Sequence, residues 1–546
     1  VAERLFGVET EYALTAIGVR GQSLDRAPIV EALMHLARTT LPCLPDEFSG
    51  GLFLQNGARF YVDVGFHPEC TTPEVSNPWD AVRYVQAGER LLLRLATAVA
   101  AKRRAGQLLL MRCNIDYGGM RSTWGCHESY MHRADLRTIP KQIVPHLVSR
   151  LIYSGAAGFD NRSAGVEFML SPRVAHMTSE VSGESTHNRG IFHTKDEPLC
   201  RGGYHRLHIL CGESLCSELA AWLKLGTTAL VVALIEAGLS PGEEVQVRTP
   251  VIAMQMFAQD PTCTAVAESP RGKRLSAIDI QRHYLSLAEA HVGDAFMPPW
   301  AGEVCRQWRA VLDRLQGGPQ SLATTLDWAI KLMLFKEHVR RRGFVWESLP
   351  LWTDVARRLA AALARTPQHE QPLTAELVLG NNSPVAGEVT RLASLMRANG
   401  LSWTCFGPFL NLRQELFEID MRFGQLGDTG IFAALDASGA LSHHVAGVDN
   451  IEDAIERPPA VPRAQRRGEL IRQLSGEQER YSCDWLGVWD RRLGRVIDLS
   501  DPFAIAPEWK ECSDDDLGPL RGLPPRVREQ LAFLRARGRT RDAAPF

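Results

Sequence analysis

The chain lacks several things whose absence narrows what it can be. Its twelve cysteines stand singly, at positions such as Cys43, Cys113, Cys263 and Cys405, and nowhere form a Cys-x-x-Cys pair. That spacing removes zinc knuckles and a disulfide framework, and it fits thiols kept reduced in a cytoplasm. No apolar stretch runs free of charge for the roughly 18 residues a membrane span needs, and the first residues carry no basic-then-apolar signal. A soluble, cytoplasmic protein is therefore expected. No Walker loop and no Gly-x-Gly-x-x-Gly opening a helix occur, which disfavours ATP enzymes of the P-loop or Rossmann kind. His127-Glu128 does not continue into His-Glu-x-x-His, so a zinc protease is not indicated. There is no internal repeat. The formal net charge of -2 neither indicates nor excludes nucleic acid, and the expected partners are set without nucleic acid and without membrane.

What is present is ordinary in bulk and specific in detail. At 546 residues, 45% hydrophobic and 23% charged, the chain is a globular one too long for a single core, so two or more structural units are expected. The informative stretch is Asn56 to Glu69. Its centre has strand character, and alternation puts Arg59, Tyr61 and Asp63 on one face and Phe60, Val62 and Val64 on the other. An arginine, a phenol and a carboxylate spaced about 7 Å apart offer a phosphate fork, a hydroxyl ligand and a base, with Glu69 just beyond. An edge strand with a solvated polar face reads the same way.

Two further strands repeat the arrangement. In Arg4 to Leu14 the i, i+2 spacing puts Glu9 and Glu11 on one face, where they repel unless a cation such as magnesium lies between them or water surrounds both. In Tyr204 to Leu210, Tyr204, Arg206 and His208 oppose Leu207 and Ile209. One polar row is usually solvated; three lining a single concave sheet would make a cation and phosphate site. Around them, Asn77-Pro78 opens a helix with a buried stripe of Val82, Val85, Leu92, Leu95 and Val99. A strand is expected over Leu108 to Cys113, and helices over Glu213 to Ala237, Ala277 to Val292 and Leu322 to Val339. Residues 351–402 have the composition of an inserted subdomain or excursion. Arg463, Arg466 and Arg467 have the pattern of a solvated helix face, and residues 513–546 that of a tail running from acidic to basic.

Several long motifs, in one order, resemble a known family. They are Gly7-Val-Glu-Thr-Glu-Tyr12, Asn56 to Glu69, Gly125-Cys-His-Glu-Ser-Tyr130, Thr194-Lys-Asp-Glu-Pro198, Tyr204-His-Arg-Leu-His208, Leu223 to Leu230, Ser276 to Arg282, Asp327-Trp328, Asp484-Trp485 and Asp501-Pro-Phe503. The family is that of the Pup ligases and Pup deamidase/depupylases (PafA and Dop), relatives of glutamine synthetase. The resemblance implies an α+β fold: a curved antiparallel sheet backed by helices over 1–455, a small C-terminal domain over 456–512, and a tail from 513 to 546. It implies ATP and magnesium on the concave side, with Glu9, Tyr61 and Glu69 as magnesium ligands, Arg59, Thr72 and Trp485 as ATP contacts, and Asp63 as the catalytic aspartate. Glu11, His127, Arg206 and His208 correspond to further metal or phosphate ligands. The implied reaction is phosphorylation of the C-terminal glutamate carboxylate of a small Pup-like modifier, followed by attack of a target-protein lysine to give an isopeptide bond. In the depupylase branch the matching aspartate attacks or hydrolyses that bond instead. Only Thr15 to Leu54 separates the first acidic strand from the Asn-Gly-Ala-Arg strand, and Val62-Asp-Val-Gly-Phe-His-Pro-Glu69 has the ligase wording; both favour the ligase branch. Ser129 stands where the family has Asn, and Lys195 stands where the family has Arg; lysine cannot form arginine's bidentate fork.

Overall fold

The computed structural model describes residues 4–47, 49–63, 65–103, 105–183, 188–193, 199–504 and 508–512. Through residue 236 the chain runs β1 (Phe6–Glu11), β2 (Ala13–Gly18), α1 (Ala27–Thr40), β3 (Cys43–Pro45), β4 (Leu52–Leu54), β5 (Arg59–Val62), β6 (Pro68–Thr71), α2 (Pro78–Arg103), β7 (Ala105–Met111), β8 (Cys126–His132), α3 (Ile139–Ser149), α4 (Leu151–Ser154), β9 (Gly158–Phe159), β10 (Phe168–Met169), β11 (Ser179–Ser182), β12 (Gly190–His193), β13 (His205–Ile209) and α5 (Glu218–Glu236). Nine of these strands form one sheet in the order β11-β12-β13-β8-β1-β6-β5-β4-β3, so β1 lies at its centre. Every neighbouring pair is antiparallel except β11 with β12 at one edge, which run parallel. The architecture is α+β, as the resemblance implies.

Strand alternation decides which side chains meet the helices. Phe6 and Val8 of β1, Phe60 of β5, Tyr130 of β8, and Leu207 and Ile209 of β13 all enter one continuous core with α2, α3 and α5. The central helix α5 starts one residue after Ser217, whose side chain accepts from the Ala220 amide at 3.2 Å, an N-cap that the bare apolar pattern does not locate. It is long and apolar enough to cross a membrane by composition, but its apolar window is 89% buried inside the protein, which makes it a core helix. A fully buried ionic pair crosses this layer. Glu128, on the helix side of β8, accepts from both terminal nitrogens of Arg150 at 2.6 and 2.8 Å, and Arg150 also donates to Thr228 of α5 at 2.7 Å.

Residues 351–402 lie within a helical unit. Helices Leu349–Leu363, Ala375–Leu379 and Ala386–Ala398 pack with Asp327–Arg341 and Phe406–Phe423 around a second core that contains Phe335, Trp352, Phe409 and, from β9, Phe159. Further on, helix Pro462–Leu474 and a four-stranded antiparallel sheet (Tyr481–Cys483, Gly487–Asp490, Arg495–Asp498 and Lys510–Glu511) share a small core with Leu44 of β3 and Phe53 of β4. Cys483 also bridges Asp46 in parallel, so the small unit continues the edge of the large sheet. At the β4–β5 turn, Gly57 has φ 82°, and a Cβ there would stand 3.3 Å from the Ala464 carbonyl, so glycine serves both the turn and the close approach of the C-terminal helix.

Candidate active site

The polar face of β1 collects the site. In register, Glu9 lies across from His127 of β8 and Thr71 of β6, Glu11 across from Glu69 of β6, and Glu69 in turn across from Tyr61 of β5. The first cluster is Glu9, His127 and His208, whose potential ligand atoms all lie within 4.8 Å of one another. His127 Nδ1 is 3.7 Å from Glu9 Oε2, the two imidazole rings stand 5.2 Å apart, and Ser129 Oγ lies 3.1 Å from His208 Nδ1. Burial pushes His208 down to about 3, which leaves it neutral. Burial would raise Glu9, but His127, His208 and Arg206 outweigh it and hold its carboxylate well below the ordinary range.

The second cluster, Glu11, Asp63 and His67, sits where β5 ends. Asp63 folds the next residues around its own carboxylate: Oδ1 accepts from the backbone amides of Gly65 at 2.9 Å and His67 at 2.6 Å, and His67 Nδ1 lies 2.9 Å from Oδ2. Phe66 is thereby held at φ 61°, an uncommon conformation for an aromatic residue. The His67 ring packs on Trp124 at 4.6 Å, and its Nδ1 is 3.8 Å from Glu11 Oε2. Burial acts upward on Asp63, yet its bonds to His67 win and keep it ionised. Glu11 and Glu69 go the other way, raised by burial and by neighbouring acids, Asp63 for Glu11 and Glu9 with Glu11 for Glu69. The Tyr61 hydroxyl donates to Glu69 and is itself pushed up by burial and the nearby Glu9. Crowded carboxylates whose ionisation is resisted, beside a neutral imidazole, form a donor set that suits a hard divalent cation such as magnesium or manganese.

Three expected nucleotide contacts lie beyond this centre. Arg59 stacks its guanidinium 4.0 Å from the Tyr61 ring, pairs with Asp46 at 2.7 Å and donates to Ser49 Oγ at 2.8 Å. Phe53, next to it on β4, touches both Arg59 and Trp485 of the small C-terminal unit, with Phe53 and Trp485 ring centroids 5.1 Å apart. Thr72 is buried, and its hydroxyl accepts from the Val8 amide at 3.1 Å, extending the β1–β6 pairing. Arg206, between Leu207 and His205 on β13, faces Glu9 and His208 and acts on the ionisation of both.

Glu9, Glu11, Tyr61, Asp63, Glu69, His127, Arg206 and His208 thus share one face, as alternation requires. Arg173 belongs with them and was not legible: it lies in the 3₁₀ turn Pro172–His176, fully buried, donating to Thr123 Oγ1 and the Trp124 carbonyl and lying 3.4 Å from His127 Nε2. His67 was visible only as part of a motif. The expectation that Arg463 and Arg467 form a solvated face is wrong; both are buried on the Glu74 carboxylate, and only Arg466 keeps an exposed partner, Glu469. Val64, the Thr194 to Pro198 motif with Lys195, and the tail lie outside the described residues. A third His–acid group, Asp436, His443 and His444, is closed by hydrogen bonds. The Glu218 amide donates to His443 Nδ1, which leaves His443 Nε2 to donate to Asp436 at 3.1 Å rather than to bind a cation.

Comparison with known proteins gives this geometry a family. The sequence model described as "Pup-ligase protein" matches residues 4–378 and 391–489, passing over the turn near Gly380 to Pro384. A Pup--protein ligase of Acidimicrobium ferrooxidans is 30% identical over 523 residues, covering 93% of this chain and 97% of that protein. A depupylase of Acidothermus cellulolyticus is 37% identical over a shorter 317 residues, 56% of this chain and 62% of that protein. Two solved structures share the fold at 21% identity. The complex of the prokaryotic ubiquitin-like protein Pup with its ligase PafA has a TM-score of 0.68 and covers 97% of this chain and 94% of that one. PafA in complex with ADP has a TM-score of 0.63, with 92% and 93% covered. This chain belongs to the Pup-ligase protein family.

Proposed function

We propose that this chain is an ATP- and magnesium-dependent ligase that joins the C-terminal glutamate of a small Pup-like modifier to a lysine of a target protein through an isopeptide bond. The observation that carries the reading is the pair of carboxylate–imidazole clusters side by side on the polar face of β1, with Arg59 and Arg206 to either side. Magnesium would be held by Glu9, Tyr61 and Glu69, with Glu11, His127 and His208 as further donors, and would supply neutralisation of the nucleotide phosphates. Arg59, Thr72 and Trp485 are assigned to ATP, in keeping with the ADP complex of the PafA relative. The unit limits at 455 and 512 and a cytoplasmic setting belong to the same reading; all twelve cysteines are free thiols.

In the reaction, a glutamate side-chain carboxylate of the modifier attacks the γ-phosphorus of ATP, giving an acyl phosphate and ADP. The target lysine amine then attacks the acyl carbon, and inorganic phosphate leaves as the amide forms. A lysine is almost wholly protonated at neutral pH, so the incoming ammonium must give up a proton first. We assign that role to Asp63, whose carboxylate His67 and the turn amides keep ionised and fixed in place. The ligase direction is favoured because the interval from Thr15 to Leu54 is filled by β2, α1, β3 and β4. Incubation with magnesium-ATP, a Glu-ending Pup and a lysine-bearing protein should release one ADP per new conjugate. Cleavage of a preformed conjugate without ADP release, and no conjugation, would overturn this in favour of the depupylase reading.

A further inference from the structure

Helix Pro462–Leu474 buries two of its arginines, Arg463 and Arg467. Glu74, two residues past Thr72, accepts from Arg467 with both oxygens, at 2.8 and 2.9 Å, and pairs with Arg463 at 2.6 Å. Arg467 is fully buried and makes more than an ion pair. The same guanidinium donates to the carbonyl of Gly57 at 3.2 Å, two residues before Arg59, and to the backbone carbonyl of Trp485 at 3.3 Å. Its plane lies 4.8 Å from the Trp485 ring and 5.8 Å from Phe53, which itself packs against Arg59. The helix backbone is seated directly on this edge, since a Cβ at Gly468 would come within 2.4 Å of the Gln55 carbonyl. One planar, five-donor group therefore holds Gly57 just before Arg59, Glu74 just past Thr72, and Trp485 in a single frame.

We propose that Arg467, with Glu74 as its anchor, is a positioning residue that sets the indole of Trp485 against the Arg59 edge, so that seating of the C-terminal unit and nucleotide binding are one coupled event. This rests on the assignment of Trp485 and Arg59 to ATP made above. Neither Arg467 nor Glu74 need touch the nucleotide; they act through the two residues they hold. Only a bidentate, planar cation fits all of these partners, so lysine cannot replace it.

The test is the dependence of ligation on ATP in Arg467→Lys and in Glu74→Gln, each checked for folding by its urea transition. The KM for ATP should rise at least about tenfold, the equivalent of one charge-assisted hydrogen bond, while kcat at saturating ATP and the KM for the modifier change much less. In a Trp485→Ala background the added Arg467→Lys change should raise the KM for ATP no further. Folded variants with an unchanged KM for ATP, or effects of Arg467 and Trp485 that multiply, would overturn the proposal. If Arg467→Lys does not fold, Glu74→Gln breaks the same link from the sheet side and carries the test. Absence of any ATP-dependent conjugation by the unaltered protein would instead fault the ligase reading itself.

Discussion

At the scale of single residues, the proposed reaction gives Asp63 and Glu9 different tasks. Asp63→Asn keeps the shape of the turn but cannot take a proton, and the conjugation rate should fall on the order of 10²- to 10⁴-fold with ADP binding retained; a variant of normal rate would remove Asp63 from the chemistry. Glu9→Gln removes the carboxylate that His127, His208 and Arg206 hold ionised. The magnesium concentration for half-maximal activity should then rise well over tenfold, as measured at fixed ATP, while Asp63→Asn leaves binding of ADP intact. These positions were legible because strand alternation alone sorts Arg59, Tyr61 and Asp63 from Phe60 and Val62. Arg173 was not, since it reaches His127 from a turn 46 residues further on, and local pattern carries no trace of such a contact.

At the scale of elements, the helix-side link between β8 and α5 can be tested separately from catalysis. Arg150→Met leaves Glu128 charged and buried, with Tyr130 as its remaining side-chain donor among the described residues, at 2.8 Å. Urea unfolding should show a loss of about 3–5 kcal/mol, and a loss below about 1 kcal/mol, the size of an exposed pair, would show that water reaches the site. The His127-Glu128 dipeptide illustrates what sequence can and cannot say here. Alternation forces the two side chains to opposite faces, but only the packed structure tells that His127 meets Glu9 and Glu128 meets Arg150. Helix ends behaved similarly. The expected start at Glu213 becomes Ser217, where a side chain caps the helix, and the helix expected from Leu322 begins at Asp327, after a 3₁₀ turn over Pro319–Leu322.

At the scale of the whole molecule, the small C-terminal unit shares a core with β3 and β4 and is pinned by Glu74 to two arginines that read, in sequence, as a solvent-facing row. Burial would raise Glu74, but Arg463 and Arg467 hold it at about 2, against an ordinary 4.5. A carboxyl lowered on folding stabilises fully above its ordinary range and loses that contribution as pH falls through the folded value. The C-terminal unit should accordingly loosen between about pH 4.5 and 2, seen as a change in Trp485 fluorescence, and Glu74→Gln should remove the pH dependence of that change. The fold class was legible through the motifs that carry the family resemblance, and the polar-faced strands through alternation; the anchoring was not, because it joins positions 393 residues apart. The central claim, that the polar face of β1 gathers divalent ions beside the nucleotide, is tested most directly by crystals grown with manganese and ADP and measured at the manganese absorption edge. Anomalous peaks within bonding distance of Glu9 and its neighbours on β6 and β8 are the expected result, and manganese bound only elsewhere, with that face empty, would contradict it.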